Sequence, residues 1–293
     1  MIGTYASAVL ICAASLLVGR ALLAFAGRDS WSWLEPAVGF GAILTVTGVL
    51  ARAPGHGTTA TVGLVLLIVA AATMQASSRT RRRRAEKRPI SPLLGPSAGW
   101  GWGLAVAIVV VLALSIPFAV SGRWGLLGEG FNNDLGLHLA WAEWLRSGFG
   151  PTPDAGYPLG PHGLAVATAA VPGIGLAQAF IGEIFAIGVL TALTALAALR
   201  DLGPVRRVLA ATLVALPYLA ASYFAQAAFK ETAEALFVLA FAVGLHNLDR
   251  RRAEKRPISP LIGPSAGSLG GLVRLALAPL ALAGGIFFSY SFA

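Results

Sequence analysis

The chain has 293 residues, of which 56% are hydrophobic and 12% charged, and its mean hydropathy is +0.74. Soluble globular domains carry about 25% charged residues, so this composition excludes a water-soluble fold and implies a polytopic membrane protein. The net charge of +9 does not indicate nucleic acid, because the arginines and lysines sit in short clusters between apolar runs, as topology-setting loops do.

A bilayer core about 30 Å thick needs roughly 20 apolar residues per helix. By that measure the chain reads as all-α with about eight transmembrane helices, over 4–26, 36–51, 60–77, 101–120, 174–199, 207–223, 232–247 and 269–290. Cys12, the only cysteine, falls in the first of them, so neither a disulfide framework nor a cysteine metal site is expected. Three basic segments orient the spans: Arg79 to Arg88, then Arg200 with Arg206 and Arg207, then Arg250 to Arg256. The positive-inside rule puts all three in the cytoplasm, and an even number of spans separates each from the next. Residues 121–173 then form a large outward loop carrying amphipathic interfacial helices, in a multi-pass protein of the cell membrane. The apolar piece 163–173 is too short to cross before Pro172 and Gly173, and reads as a short helix lying at the outer interface or re-entering it.

Along the sequence, residues 1–99 read as a three-helix membrane extension with a basic cytoplasmic loop, and 100–293 as a membrane core. The chain stops at Ala293 directly after an apolar run, so this core is expected to be incomplete at its C-terminus. One segment repeats: Arg83 to Gly99 recurs as Arg251 to Gly267 with a single difference, Leu94 against Ile262. Either a basic patch meeting anionic head groups or a local duplication that keeps two loops positive explains it.

The outward loop gathers most of the polar chemistry. Glu129, Asn132, Asn133, Asp134, His138, Tyr157 and His162 all lie in it. The stretch from Asn132 to Gly148 reads as an amphipathic helix capped near Asn132 or Asn133. Asp134 falls in its first turn, where the helix dipole favours a carboxylate whether or not it is catalytic. Asp134 and His138 are four apart and share a face that Trp141 and Leu145 continue. Leu137, Trp141 and Trp144 form an aromatic-apolar edge suited to the headgroup region. The Pro/Gly-punctuated run from Gly156 to Leu164 then returns Tyr157 and His162 to the start of the next apolar segment. Lys230 and Glu231 open a span on the same side; Lys230 either holds an anionic group or snorkels to head groups. Glu183 lies near the start of the span at 174–199, as an intramembrane carboxylate or an interfacial one.

This order (a span, an outward loop with an acidic residue followed by histidine, tryptophan and leucine, then Tyr157-Pro158 and His162, then a short apolar helix) resembles the first extracytoplasmic loop of GT-C membrane glycosyltransferases. The resemblance covers residues 101 to about 250. It implies a hexosyl- or pentosyltransferase that moves a sugar from a polyprenyl-phosphate donor to a glycan, lipid or protein acceptor outside the membrane, with membrane lipids as its surroundings. A lipid-linked glycan polymerase or ligase is the alternative; a transporter, a flippase and a non-catalytic membrane protein fit less of the pattern. Asp134 matches the family's catalytic base, and His138, Tyr157, His162, Lys230 and Glu231 become substrate-binding residues. Many relatives carry an acidic pair where this chain has Asn133-Asp134. No metal ligand set is therefore assigned and no cofactor is required by the resemblance, although a divalent metal at Asp134, His138 and His162 is compatible with it.

Overall fold

The computed structural model describes residues 2–28, 31–85, 99–125, 127, 134–253 and 269–290, with the backbone alone for 78–85, 134, 248–253 and 269–275. Within these residues every regular element is a helix. In chain order they are α1 (Ile2–Phe25), α2 (Glu35–Leu50), α3 (His56–Ala85), α4 (Trp100–Leu114), α5 (Ile116–Ser121), α6 (Asp134–Ser147), α7 (Gly160–Ala169), α8 (Leu176–Ala198), α9 (Pro204–Ala215), α10 (Tyr218–Ala225), α11 (Lys230–Ala253) and α12 (Leu269–Ser289). Asn132, Asn133, Glu129 and nearly all of the repeated segment lie outside the described residues.

Among the described residues, four helices are long and apolar enough to cross a membrane: Ile2–Phe25, His56–Ser77, Trp100–Ser121 and Leu176–Ala198. A fifth is reached if α9 and α10 make one span, but they meet at 57°. The run 207–223 is thus broken where Pro217 removes a backbone donor and forces an extended residue before α10. The apolar helix Glu35–Leu50 has 16 residues, about 24 Å of helix at 1.5 Å per residue, which is short of a full bilayer core.

α8 sits at the centre. Its residues 179–196 are all buried by the other helices, as expected for a helix that is apolar all round. α1, α4, α7, α9 and α11 pack on it, while α2 bridges α1, α7 and α12. The three helices before residue 99 thus share one apolar core with those that follow.

Small residues let these helices touch backbone to backbone. A Cβ on Gly39 would overlap the carbonyl oxygen of Ser15, and one on Gly19 would overlap that of Glu35. Glycine crossings of this kind substitute for a hydrophobic drive, which is missing between helices surrounded by lipid. Beside the crossing, the Arg20 guanidinium donates to the fully buried Glu35 carboxylate at 2.9 Å.

Two ends of the bundle can be sorted by their contacts. At one end the Tyr5 and Ser115 hydroxyls meet at 2.8 Å, Ser7 donates to the Ala179 carbonyl at 3.1 Å, and the His56 and Trp144 rings lie 4.6 Å apart. At the other end Gln75 donates to Leu17, Arg200 to Asn247 and Arg207 to Leu196, and Trp31, Trp33 and Trp100 cluster with ring centroids 4.4–5.4 Å apart. The described basic residues Arg200 and Arg207 belong to this second end; α6 and α7 belong to the first.

α7 spans Gly160–Ala169, three residues earlier than 163–173, and its residues 160–168 are all buried. It is packed inside the bundle, because Gly160 and Gly163 allow α2 to approach its backbone directly.

The glycine crossing makes a stability prediction. Gly39→Ala should lower the melting temperature of the detergent-solubilised protein by an amount matching about 1–3 kcal/mol, the usual cost of overpacking. Gly136→Ala, on α6 with nothing within 4 Å of the new methyl, should leave it unchanged or raise it slightly. Equal melting curves for Gly39→Ala and wild type would contradict the close approach.

Candidate functional site

The buried face of α6 comprises Leu135, His138, Trp141, Ala142 and Leu145, the spacing of a single helical stripe. The face read from the sequence is therefore the face that packs. Trp141 is buried within it, so it is not part of a headgroup-facing edge; Leu137 remains exposed and Trp144 half-buried.

Opposite α6, the segment 156–160 is tied down by α2. Arg52, just beyond the C-terminus of α2, donates to the carbonyls of Gly156 at 3.3 Å and Tyr157 at 2.9 Å. The Thr47 hydroxyl donates to the Gly160 carbonyl at 3.0 Å. Pro161 in the first turn of α7 suits a position whose N–H would lack a helical partner. These contacts fix the entry of α7 and carry His162 into the interior.

There the two histidines meet. His138 Nδ1 and His162 Nε2 are 3.1 Å apart, and the residues are 2% and 0% exposed. Four aromatic rings enclose the pair. Trp141 and Tyr157 lie 5.5 and 5.9 Å from the His138 ring, and Phe180 and Phe229 lie 5.7 and 6.1 Å from that of His162. The Lys230 ammonium stands 5.8 Å from the Tyr157 ring centroid, within cation–π range.

His138, Tyr157, His162 and Lys230 are thus brought together from α6, the 156–160 turn, α7 and the start of α11. Glu231 follows Lys230 in the same first turn, with its Oε2 buried and without a hydrogen-bond partner among the described residues. Asp134 opens α6, four residues before His138; its carboxylate lies outside the described residues. Sequence reasoning missed Phe180 and Phe229 as walls of the site, since nothing marks them out within apolar runs. It also missed Arg52, whose position beside Pro54 and Gly55 was the only available signal.

Glu183 occupies the interior, 1% exposed, with neither carboxylate oxygen bonded among the described residues. Seven residues after the start of α8, it lies about 10 Å along that helix, enclosed by the neighbouring helices. Among the described residues, no three histidine, cysteine or acidic side chains form a metal-binding group.

Burial first, and then the nearby His138 and Lys230, hold the His162 imidazole well below its ordinary value of 6.5. A neutral ring therefore sits in the core, able to give one nitrogen lone pair and one N–H. Its Nδ1 is buried and has no partner among the described residues.

Comparison with family models, with characterised proteins and with solved structures gives no match to this chain.

The lowered His162 value sets the sign of a pH effect. The unfolded chain binds a proton near 6.5 and the folded chain does not, so stability is full above that pH and declines as pH falls below it. Melting temperature should therefore drop between pH 7 and pH 5 more in wild type than in His162→Gln. Parallel pH profiles for the two proteins would show that His162 is not held neutral by its surroundings.

Proposed function

We propose that the histidine end of this bundle is the substrate site of a membrane glycosyltransferase of the GT-C kind, moving a sugar from a polyprenyl-phosphate donor to an acceptor on the extracytoplasmic side. What supports the reading is one convergence: polar groups from four separate segments meet at the end of the bundle opposite Arg200 and Arg207. The positive-inside rule assigns that basic end to the cytoplasm. The histidine end then faces outward, with about eight segments alternating across the membrane.

The chemistry assigns complementary roles. An inverting transfer needs a base to accept the proton of the acceptor hydroxyl as its oxygen attacks the anomeric carbon and the bond to phosphate breaks. Asp134 takes that role, at the first residue of α6 and one turn before His138. The departing phosphate needs a cation and hydrogen-bond donors where its charge develops. Lys230 supplies the cation, and the two imidazoles and Tyr157 supply the hydrogen bonds. Enclosure by Trp141, Phe180 and Phe229 lowers the local dielectric, which strengthens each of these interactions.

Asp134→Asn separates this role from a merely structural one, because Asn keeps the shape and removes the proton acceptor. Transfer of labelled sugar from a polyprenyl-phosphate donor in membranes should fall by about 100-fold or more, general-base contributions being about 10²–10⁴. Expression and melting temperature should stay near wild type. Near-normal turnover would contradict the assignment, and loss in Glu129→Gln alone would move the base upstream.

A further inference from the structure

Two buried polar groups lack partners, and the fold sets them level with one another. Among the described residues, neither carboxyl oxygen of Glu183 is hydrogen-bonded, and neither is Nδ1 of His162. Both residues are sealed off, at 1% and 0% exposure. His162 stands seven residues before the end of α7, and Glu183 seven residues after the start of α8. These helices pack on one another across the short turn 170–175, so each residue lies about 10 Å from that turn.

The sweep of α8 agrees. Phe180 faces His162, with ring centroids 5.7 Å apart, while Gly182 faces Ser7 of α1. At about 100° per residue Glu183 points between these two directions, about 60° from Phe180. Helical side chains lean towards the N-terminus, which returns its carboxyl to the level of Phe180 and the His162 ring. Three side-chain torsions let the carboxyl turn towards α7 without moving α8.

We propose that Glu183 carries its proton, donates it in a hydrogen bond to His162 Nδ1, and thereby fixes the direction of the histidine pair. The rest follows from counting protons on the rings. A neutral His162 that accepts at Nδ1 has its N–H at Nε2. That N–H donates to His138 Nδ1, 3.1 Å away, so the N–H of His138 is at Nε2. Glu183 is then a positioning residue that acts through His162 and leaves His138 as a donor. An ionised Glu183 would accept from Nδ1–H and reverse the chain. It would also place a lone charge among apolar helices, which costs far more than a neutral acid there. Only the use of the His138 donor, towards a phosphate oxygen, rests on the sugar-transfer reading; the direction of the chain does not.

The test uses the full chain in detergent at neutral pH, with ring-¹⁵N histidine and no substrate. Nitrogen shifts report which ring nitrogen holds the proton, and His138→Gln and His162→Gln assign the two signals against those of His56 and His246. Wild type should show both rings protonated at Nε2. Glu183→Gln should keep that pattern, because its amide N–H also donates to Nδ1. Glu183→Met, which offers no donor, should shift part of the His162 population to the Nδ1–H form. Infrared difference spectra should show the carbonyl stretch of a protonated carboxylic acid in wild type, lost in Glu183→Gln. The two wild-type readings decide the matter even where a variant does not fold. A wild-type His162 protonated at Nδ1, the absence of that carboxylic acid band, or identical ¹⁵N spectra for wild type and Glu183→Met would overturn the proposal.

Discussion

Packing without a hydrophobic drive is the constraint on which the rest of this structure depends. In lipid, apolar side chains gain little by leaving one another's company, so helices associate where small residues let them approach and where polar groups pair. Gly19 and Gly39 bring α1 against α2, Gly160 and Gly163 bring α7 against α2, and Gly182 brings α8 against α1. Thr47 and Ser7 add hydrogen bonds between these helices. The outcome is a central α8 whose residues 179–196 are all buried, and a short α7 buried over residues 160–168.

The histidine pair follows from that packing. α7 reaches the interior because its first turn is glycine and proline, and because Arg52 and Thr47 hold the turn before it. α6 is long enough to lay one stripe on α7, and His138 falls on that stripe. Burial then decides the chemistry: an imidazole at 0% exposure beside another imidazole and a lysine stays neutral. The same enclosure that makes a charge costly makes any hydrogen bond or metal ligand formed there effective.

Much of this was legible in the sequence, and the rest has physical reasons for being hidden. α1, α3, α4 and α8 announce themselves by hydropathy alone. α6 begins and turns where its periodicity indicates, and Asp134 and His138 share its face. The centrality of α8 is not legible, because an apolar helix reads the same whether lipid or protein surrounds it. The bend at Pro217 lies within a run whose hydropathy suggests one span. How deeply the protein buries α7 is not legible from its length, because the fit of its glycines against Thr47 exists only in three dimensions. For the same reason the pairing of His138 with His162, 24 residues apart, is set by the turn at 156–160 and by no spacing rule. Phe180 and Phe229 carry no polar signature at all. The enclosure of Glu183 by neighbouring helices is likewise a property of the packing, which its place in an apolar run does not carry.

The account stands on the histidine end being the end that receives a phosphate-linked lipid. The most direct measurement is photo-crosslinking in native membranes with a polyprenyl phosphate bearing a photoreactive group on the isoprene unit next to the phosphate, followed by peptide mapping. The account predicts adducts within residues 134–164 and 226–236, competed away by unlabelled polyprenyl phosphate. Competed adducts confined to residues 200–207 and 247–253, at the arginine end, would contradict it.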